Sequence, residues 1–291
     1  MKRLVFALLL ITGVACSQKK ESTSKLFLSG EKLAQLTNNK LEEVSGLAAS
    51  ATNPGYLWTH NDSEREPSIY LIDEKLQIQL TCTLQGVGNR DWEDIAVGPC
   101  PDPNKNYVYV AEIGDNLAKY QYKFIYRFEE PVLRDDSSEI SITQFDRIVF
   151  QLPDKRKDTE ALMIDPKTKD LYIISKREQP VYLYSLPYPH SLSDTITARE
   201  VMSLPFTQIV AADISANGKE ILMKSYKEVY YWSNSSGKKV PEVLSEKPVN
   251  VPYEEEPQGE SIAWKLDGSG FYTISEKNPG KDSFLFFYKR K

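Results

Sequence analysis

Five stretches of this chain share one pattern: "VSGLAAS", "WEDIAVG", "TEALMID", "AADISAN" and "GESIAWK". Each places a polar or small residue ahead of a short apolar run. The matched positions are Ser45, Glu93, Glu160, Ala212 and Glu260, spaced by 48, 67, 52 and 48 residues. Each unit then continues in the same order. A turn rich in Gly, Pro, Asn and Asp follows, as in "TNPG", "DPKTKD" and "KLDGSG". A second run follows ("YLWTHND", "YVYVAEIGDN", "LYIISKRE", "ILMKSYKE", "FYTISEK"), then a third such as "SIYLID" or "VYYWS". A fourth closes each of the first four units: "IQLTCTL", "DRIVFQLP", "REVMSLP" and, weakly, "PEVLSEKPV". A unit of this size cannot bury its own apolar faces, so it must stack on its neighbours.

Four short strands repeated at this period predict an all-β chain folded as a β-propeller. Five blades account for the repeats. Six would require a further hairpin hidden between residues 117 and 150. The fifth unit stops at "FFYKRK" and lacks a fourth strand. The strand-like "KLFLSGEKLAQLT" near the N-terminus is unassigned and is expected to supply it, closing the ring.

The first residues set the expected compartment. "MKR" precedes the apolar "LVFALLLITGVA", a run too short to span a bilayer as a mature helix. "GVAC" resembles the lipobox of bacterial lipoproteins, which implies lipid on Cys16, although Gly13 stands where that motif prefers Leu. An ordinary secretory signal is the alternative. The expected organisation is a signal segment over residues 1–16, a polar tether over 17–24 and one propeller domain over 25–291. The protein is then a monomer in the bacterial cell envelope, facing the periplasm or cell exterior, touching membrane only through its anchor. A net charge of −5 offers no basic footprint for nucleic acid. Cys82 falls in an outer strand and Cys100 in a turn, a separation that disfavours a disulfide.

In a propeller the first strand of each blade lines the channel, so the matched positions form a ring at the upper mouth. Three carboxylates converging there repel one another unless something compensates them. Ser45, Glu93, Glu160 and Glu260 are therefore candidate ligands for calcium, which favours oxygen donors. No His/Cys cluster of zinc type is present. The competing reading is structural, with these carboxylates holding water or backbone N–H groups. The second strands end at the same mouth, bringing Asn61, Asp62, Asp115, Asn116, Lys176, Lys224 and Glu276 around the ring. They are candidates to meet a small-molecule or protein ligand.

His60 is either a general base or a packed side chain, and His190, in a turn, reads as surface. "EIGDN" reads either as a tight loop or as an Asp–Asn pair presented to a ligand. Lys176 and Lys224 read as equivalent positions, facing an anionic ligand or pairing with Glu160 and Asp213. Asp91 and Asp94 read as loop and inter-blade anchors, Trp92 and Trp264 as inter-blade core.

Across most of residues 41–291 the motif series, above all "NRDWEDIAVG" and "EIGDN", resembles a group of secreted bacterial propeller proteins. The architecture is also similar to the five-bladed soluble calcium-activated nucleotidases (apyrases). That resemblance implies a channel calcium held by alternating Ser and Glu. Ser45, Glu93, Glu160 and Glu260 match, whereas Ala212 stands where that family has Ser. It also implies that Asp62 lies near a reacting phosphate and that Lys176 and Arg177 lie near a basic position. The long nucleotide-gripping loops have no counterpart here. Two functions follow as expectations. One is a calcium-bearing module that binds a ligand or partner. The other is a calcium-dependent hydrolase of a phosphorylated, nucleotide-like or lactone substrate. In the second, Asp62 or His60 guides the nucleophile and Lys176 or Lys224 offsets charge.

Overall fold

The computed structural model describes residues 25–291; the expected signal segment, tether and Cys16 lie outside them. A first strand, β1 (Glu31–Gln35), precedes the blades. Blade one holds β2 (Val44–Ala49), β3 (Leu57–Asn61), β4 (Ser68–Ile72) and β5 (Ile78–Leu84). Blade two holds β6 (Trp92–Pro99), β7 (Asn106–Glu112) and β8 (Lys123–Glu129); after β9 (Glu139–Ile142) it is completed by β10 (Asp146–Gln151). Blade three holds β11 (Thr159–Ile164), β12 (Leu171–Ser175), β13 (Val181–Leu186) and, after β14 (Ile196–Thr197), β15 (Arg199–Leu204). Blade four holds β16 (Ile209–Ile214), β17 (Glu220–Ser225) and β18 (Val229–Ser233), then helix α1 (Val240–Leu244) and β19 (Val249–Val251). Blade five holds β20 (Gly259–Trp264), β21 (Gly270–Ser275) and β22 (Phe284–Lys289).

The fold is a five-bladed β-propeller. β1 pairs antiparallel with β22, so the N-terminal strand supplies the missing fourth strand of blade five. Phe27, just ahead of it, is buried among Tyr231, Trp264 and Phe271 between blades four and five. A fully buried Phe contributes roughly 1.5–3 kcal/mol, so the closure is held by packing as well as by backbone pairing.

The long insertion after β8 does not form a sixth blade. Its strand β9 runs parallel to β5 and extends the outer edge of blade one. β14 likewise extends blade two, parallel to β10. Blades two and three thus each lend a strand to the blade before them, which covers an otherwise open edge. The weak fourth run of blade four resolves differently from its expected form. "VPEVL" is helical, with Pro241 in its first turn, and only Val249–Val251 pairs with β18.

The core consists of five apolar layers between adjacent blades. Trp92 lies in the layer between blades one and two, Trp264 in that between four and five, and the last layer joins blade five to blade one. Cys82 and Cys100 are both buried as free thiols. His190 is not a surface residue: it is buried, with its ring against the Leu186 carbonyl at 3.2 Å and Arg127 at 3.4 Å.

Candidate functional site

Every innermost strand carries a β-bulge at the same place, which sets the ring. One unpaired residue sits between Ser45 and Leu47, Trp92 and Asp94, Thr159 and Ala161, Ile209 and Ala211, and Gly259 and Ser261. The bulged residues are Gly46, Glu93, Glu160, Val210 and Glu260. A bulge re-aims one side chain and tightens the local twist. The equivalence expected from sequence therefore shifts by one residue in blade one and by two in blade four. Ser45 is not a ring residue: its hydroxyl donates to the Glu93 carbonyl at 2.7 Å, joining blades one and two. Gly46 takes its place with φ +79, and a Cβ there would lie 2.7 Å from His60 Nε2. Ala212 lies in the core between blades three and four.

Two residues before the bulge, blades two and three repeat a second acid, as Asp91-x-Glu93 and Asp158-x-Glu160. Asp158 is an addition to the expected residues, and Asp91 does more than anchor a loop and the neighbouring blade. The Asp91 backbone carbonyl does accept from Gly114 N at 3.2 Å. Its carboxylate instead joins a cluster. Carboxylate oxygens of Asp62, Asp91 and Glu93 lie within 4.8 Å of one another, as do those of Glu93, Asp158 and Glu160. Glu93 belongs to both groups. Gly114 of "EIGDN" makes room for them, since a Cβ there would stand 2.5 Å from Asp91 Oδ2 and would overlap Glu93 Oε1.

The second strands complete the mouth. The residues one place beyond the partners of Ser45, Trp92, Thr159, Ile209 and Gly259 are Asn61, Ile113, Lys176, Tyr226 and Glu276. Lys176 Nζ lies 2.7 Å from Glu160 Oε1 and 3.4 Å from Glu260 Oε1. The Tyr226 hydroxyl donates to the same Glu260 oxygen. Lys224 is not equivalent to Lys176. It lies two positions earlier, fully buried, donating to the Gly259 carbonyl and facing Glu256 at 3.6 Å. Asp213 takes no part in that pair; it accepts from Trp264 N at 2.8 Å.

Several expected ligand-binding groups are occupied by local structure. Asn61 bridges Glu43 N and the Lys40 carbonyl. Asp115 accepts from Lys119 N at 2.7 Å and Tyr120 N at 2.8 Å, which closes the "EIGDN" turn. Asn116 accepts from Arg177, whose Nε donates to Asp158 Oδ2 at 2.7 Å. His60 is fully buried edge-on to Trp92, with Nδ1 at 3.0 Å from the Asn61 carbonyl. Burial lowers its pKa to about 4. Asp94 accepts from Ile95 N and from Leu162 N of blade three, anchoring two blades as expected.

The electrostatics separate the two sides of the mouth. Burial works against the charge on Lys176, but Glu160 and Glu260 outweigh it and hold the ammonium protonated. Burial and Asp91 push Asp62 up to about 7, and burial and Asp158 push Asp91 up to about 6. Burial pushes Glu160 up to about 8 against the pull of Lys176. Burial and Glu260 push Glu276 up to about 9. Glu93, only 2% exposed, is driven far above the carboxylate range by burial and by Glu160. Among the described residues no N–H or O–H group donates to its carboxylate. Its neighbours there are other carboxylates, and two carboxylates can be joined only by a shared proton or a cation.

No protein-family model matches this chain, and no curated protein matches it. Among solved structures, a luciferin-regenerating enzyme aligns with 86% of this chain and 92% of its own, at a TM-score of 0.45 and 11% identity. A likeness of that size carries no argument about chemistry.

Proposed function

We propose that this protein is a ligand- or partner-binding β-propeller whose upper mouth holds calcium, tethered in the bacterial cell envelope through lipid on Cys16. One observation carries the calcium reading. Glu93 is buried, receives no N–H or hydroxyl donor among the described residues, and clusters both with Asp62 and Asp91 and with Asp158 and Glu160. Burying ionised carboxylates without a counter-charge costs several kcal/mol per group. An all-oxygen donor set with no His or Cys suits calcium, whose six to eight ligands include water. Lys176 occupies the Glu260 side, so the cation belongs between blades one, two and three.

Two features support recognition at this face. A cleft of about 360 Å³ opens beside the mouth, lined by Phe206, Tyr226 and Tyr230, with Phe206 and Tyr230 stacked at 4.3 Å. Tyr226 connects it to Glu260. Clefts of this size and mixed character take small organic ligands. The N-terminal sequence supports the anchor, and palmitate labelling lost in Cys16→Ser tests it.

Calcium-dependent hydrolysis is the second reading. What favours it is Asp62, partly exposed at the rim of the acidic cluster, where its carboxylate can meet a substrate or water beside the cation. It ranks second because His60 and Lys224 are enclosed by their own packing. The test is thermal unfolding in EDTA and then in calcium. A cation bound only by the folded state raises the midpoint as its concentration rises. The expected rise disappears in Glu93→Gln. No rise in the parent protein removes the calcium reading and the hydrolase with it.

A further inference from the structure

We propose that the mouth holds two divalent cations, bridged by the Glu93 carboxylate; the inference rests on the calcium reading above and extends it. The acidic groups form two sets of three, and Glu93 is the residue common to both. A single carboxylate has two oxygens, and each can serve a different cation. The first cation takes Asp62, Asp91 and Glu93. The second takes Glu93, Asp158 and Glu160.

The second position has its own mark, independent of the clustering. Glu160 is 1% exposed, and its Oε1 faces Lys176. Its Oε2 is buried and receives no N–H or hydroxyl donor, and the group it meets is the Glu93 carboxyl. Two buried carboxyl groups in contact must share a proton or a cation, and with Asp158 as a third oxygen donor beside them we take the cation. Asp158 retains acceptor capacity beyond Arg177 and Asp115 N, since an ionised carboxylate offers about four lone-pair sites.

The charges agree with two ions. Asp62, Asp91, Glu93, Asp158, Glu160 and Glu260 pair within 4 Å with Lys176 and Arg177, and the buried Lys123 ammonium and Arg90 act on Asp91, Glu93 and Asp158 from farther away. The acids still outnumber these cations, and divalent ions at both acidic groups supply the missing positive charge. Paired sites of this kind hold their ions about 3.5–4 Å apart, which suits one bridging carboxylate. The D-x-E repeat of blades two and three produces this arrangement, since each blade contributes one acid from its bulge and one from the turn before it.

The experiment is calorimetric titration of calcium into the full-length chain, stripped of metal beforehand. The expected result is two equivalents per chain. Asp158→Asn and Asp62→Asn should each retain one equivalent, and Glu93→Gln should bind neither ion at the concentrations that saturate the parent. One equivalent in the parent, or an unchanged stoichiometry in folded Asp158→Asn, overturns the paired site and leaves the single-ion reading standing. No binding at all overturns both. If Asp158→Asn does not fold, the parent stoichiometry alone decides.

Discussion

Lys176→Met isolates the internal counter-charge of the mouth. The ammonium lies 2.7 Å from Glu160 and 3.4 Å from Glu260, and all three side chains are at least nine-tenths buried. At an effective dielectric near 20, the shorter contact alone corresponds to about 6 kcal/mol of attraction. Desolvating the three groups offsets much of that. Removing one partner of a buried pair, however, leaves the others uncompensated and typically costs about 3–5 kcal/mol. For a domain of this size that lowers the melting midpoint by roughly 6–15 °C. Calcium should recover part of the loss, because methionine leaves Glu160 Oε1 and Glu260 Oε1 open to a cation. The assay is thermal unfolding by circular dichroism, in EDTA and in millimolar calcium. The variant should melt well below the parent in EDTA and show the larger upward shift with calcium. A midpoint within about 2 °C of the parent in EDTA refutes the ion-pair reasoning. Equal calcium shifts in both proteins refute the view that Lys176 and calcium share one set of carboxylates.

Three further outcomes follow from the same geometry. Without calcium, stability should fall as pH rises from about 5 to 9. Asp62, Asp91, Glu160 and Glu276 have folded-state pKa values near 7, 6, 8 and 9, so the folded protein binds more protons than the unfolded chain over that range. Saturating calcium should flatten that slope, and melting midpoints across pH with and without calcium measure it. Gly114→Ala should lower stability by roughly 1–3 kcal/mol and weaken the calcium response, because its Cβ would enter the space of Asp91 and Glu93; denaturant unfolding reports both. Phe27→Ala should cost about 3–5 kcal/mol through the cavity left at the ring closure. Hydrogen exchange should then show early opening of β1 and β22.

The limits of the sequence are clearest at the ring. A β-bulge adds one residue to a strand without marking its composition. Gly46 and Val210 therefore sit where alignment of apolar runs points to Ser45 and Ala212. The same slip makes Lys224 look equivalent to Lys176, when Tyr226 is the true counterpart. Asp158 was within reach of the sequence, since "DWE" and "DTE" repeat two residues apart at the start of neighbouring blades. His190 looked exposed because turns usually are; Arg127 and the Leu186 carbonyl enclose it.

The blade repeat and the ring-closing strand were legible in the sequence, because short apolar runs and their turns are local properties that repeat in a fixed order; five blades rather than six was decided by the pairing of β9 with β5. Glu93, Glu160 and Glu260 as convergent acids follow as well, because each opens an innermost strand. Tertiary structure decided the rest. It placed β9 and β14 on preceding blades, gave Lys176 to Glu160 and Glu260, and left Glu93 between two acidic groups without a donor. The reason is physical: a side chain's partner across a channel depends on bulge register and on neighbouring blades, and neither is written in the run of residues that carries it.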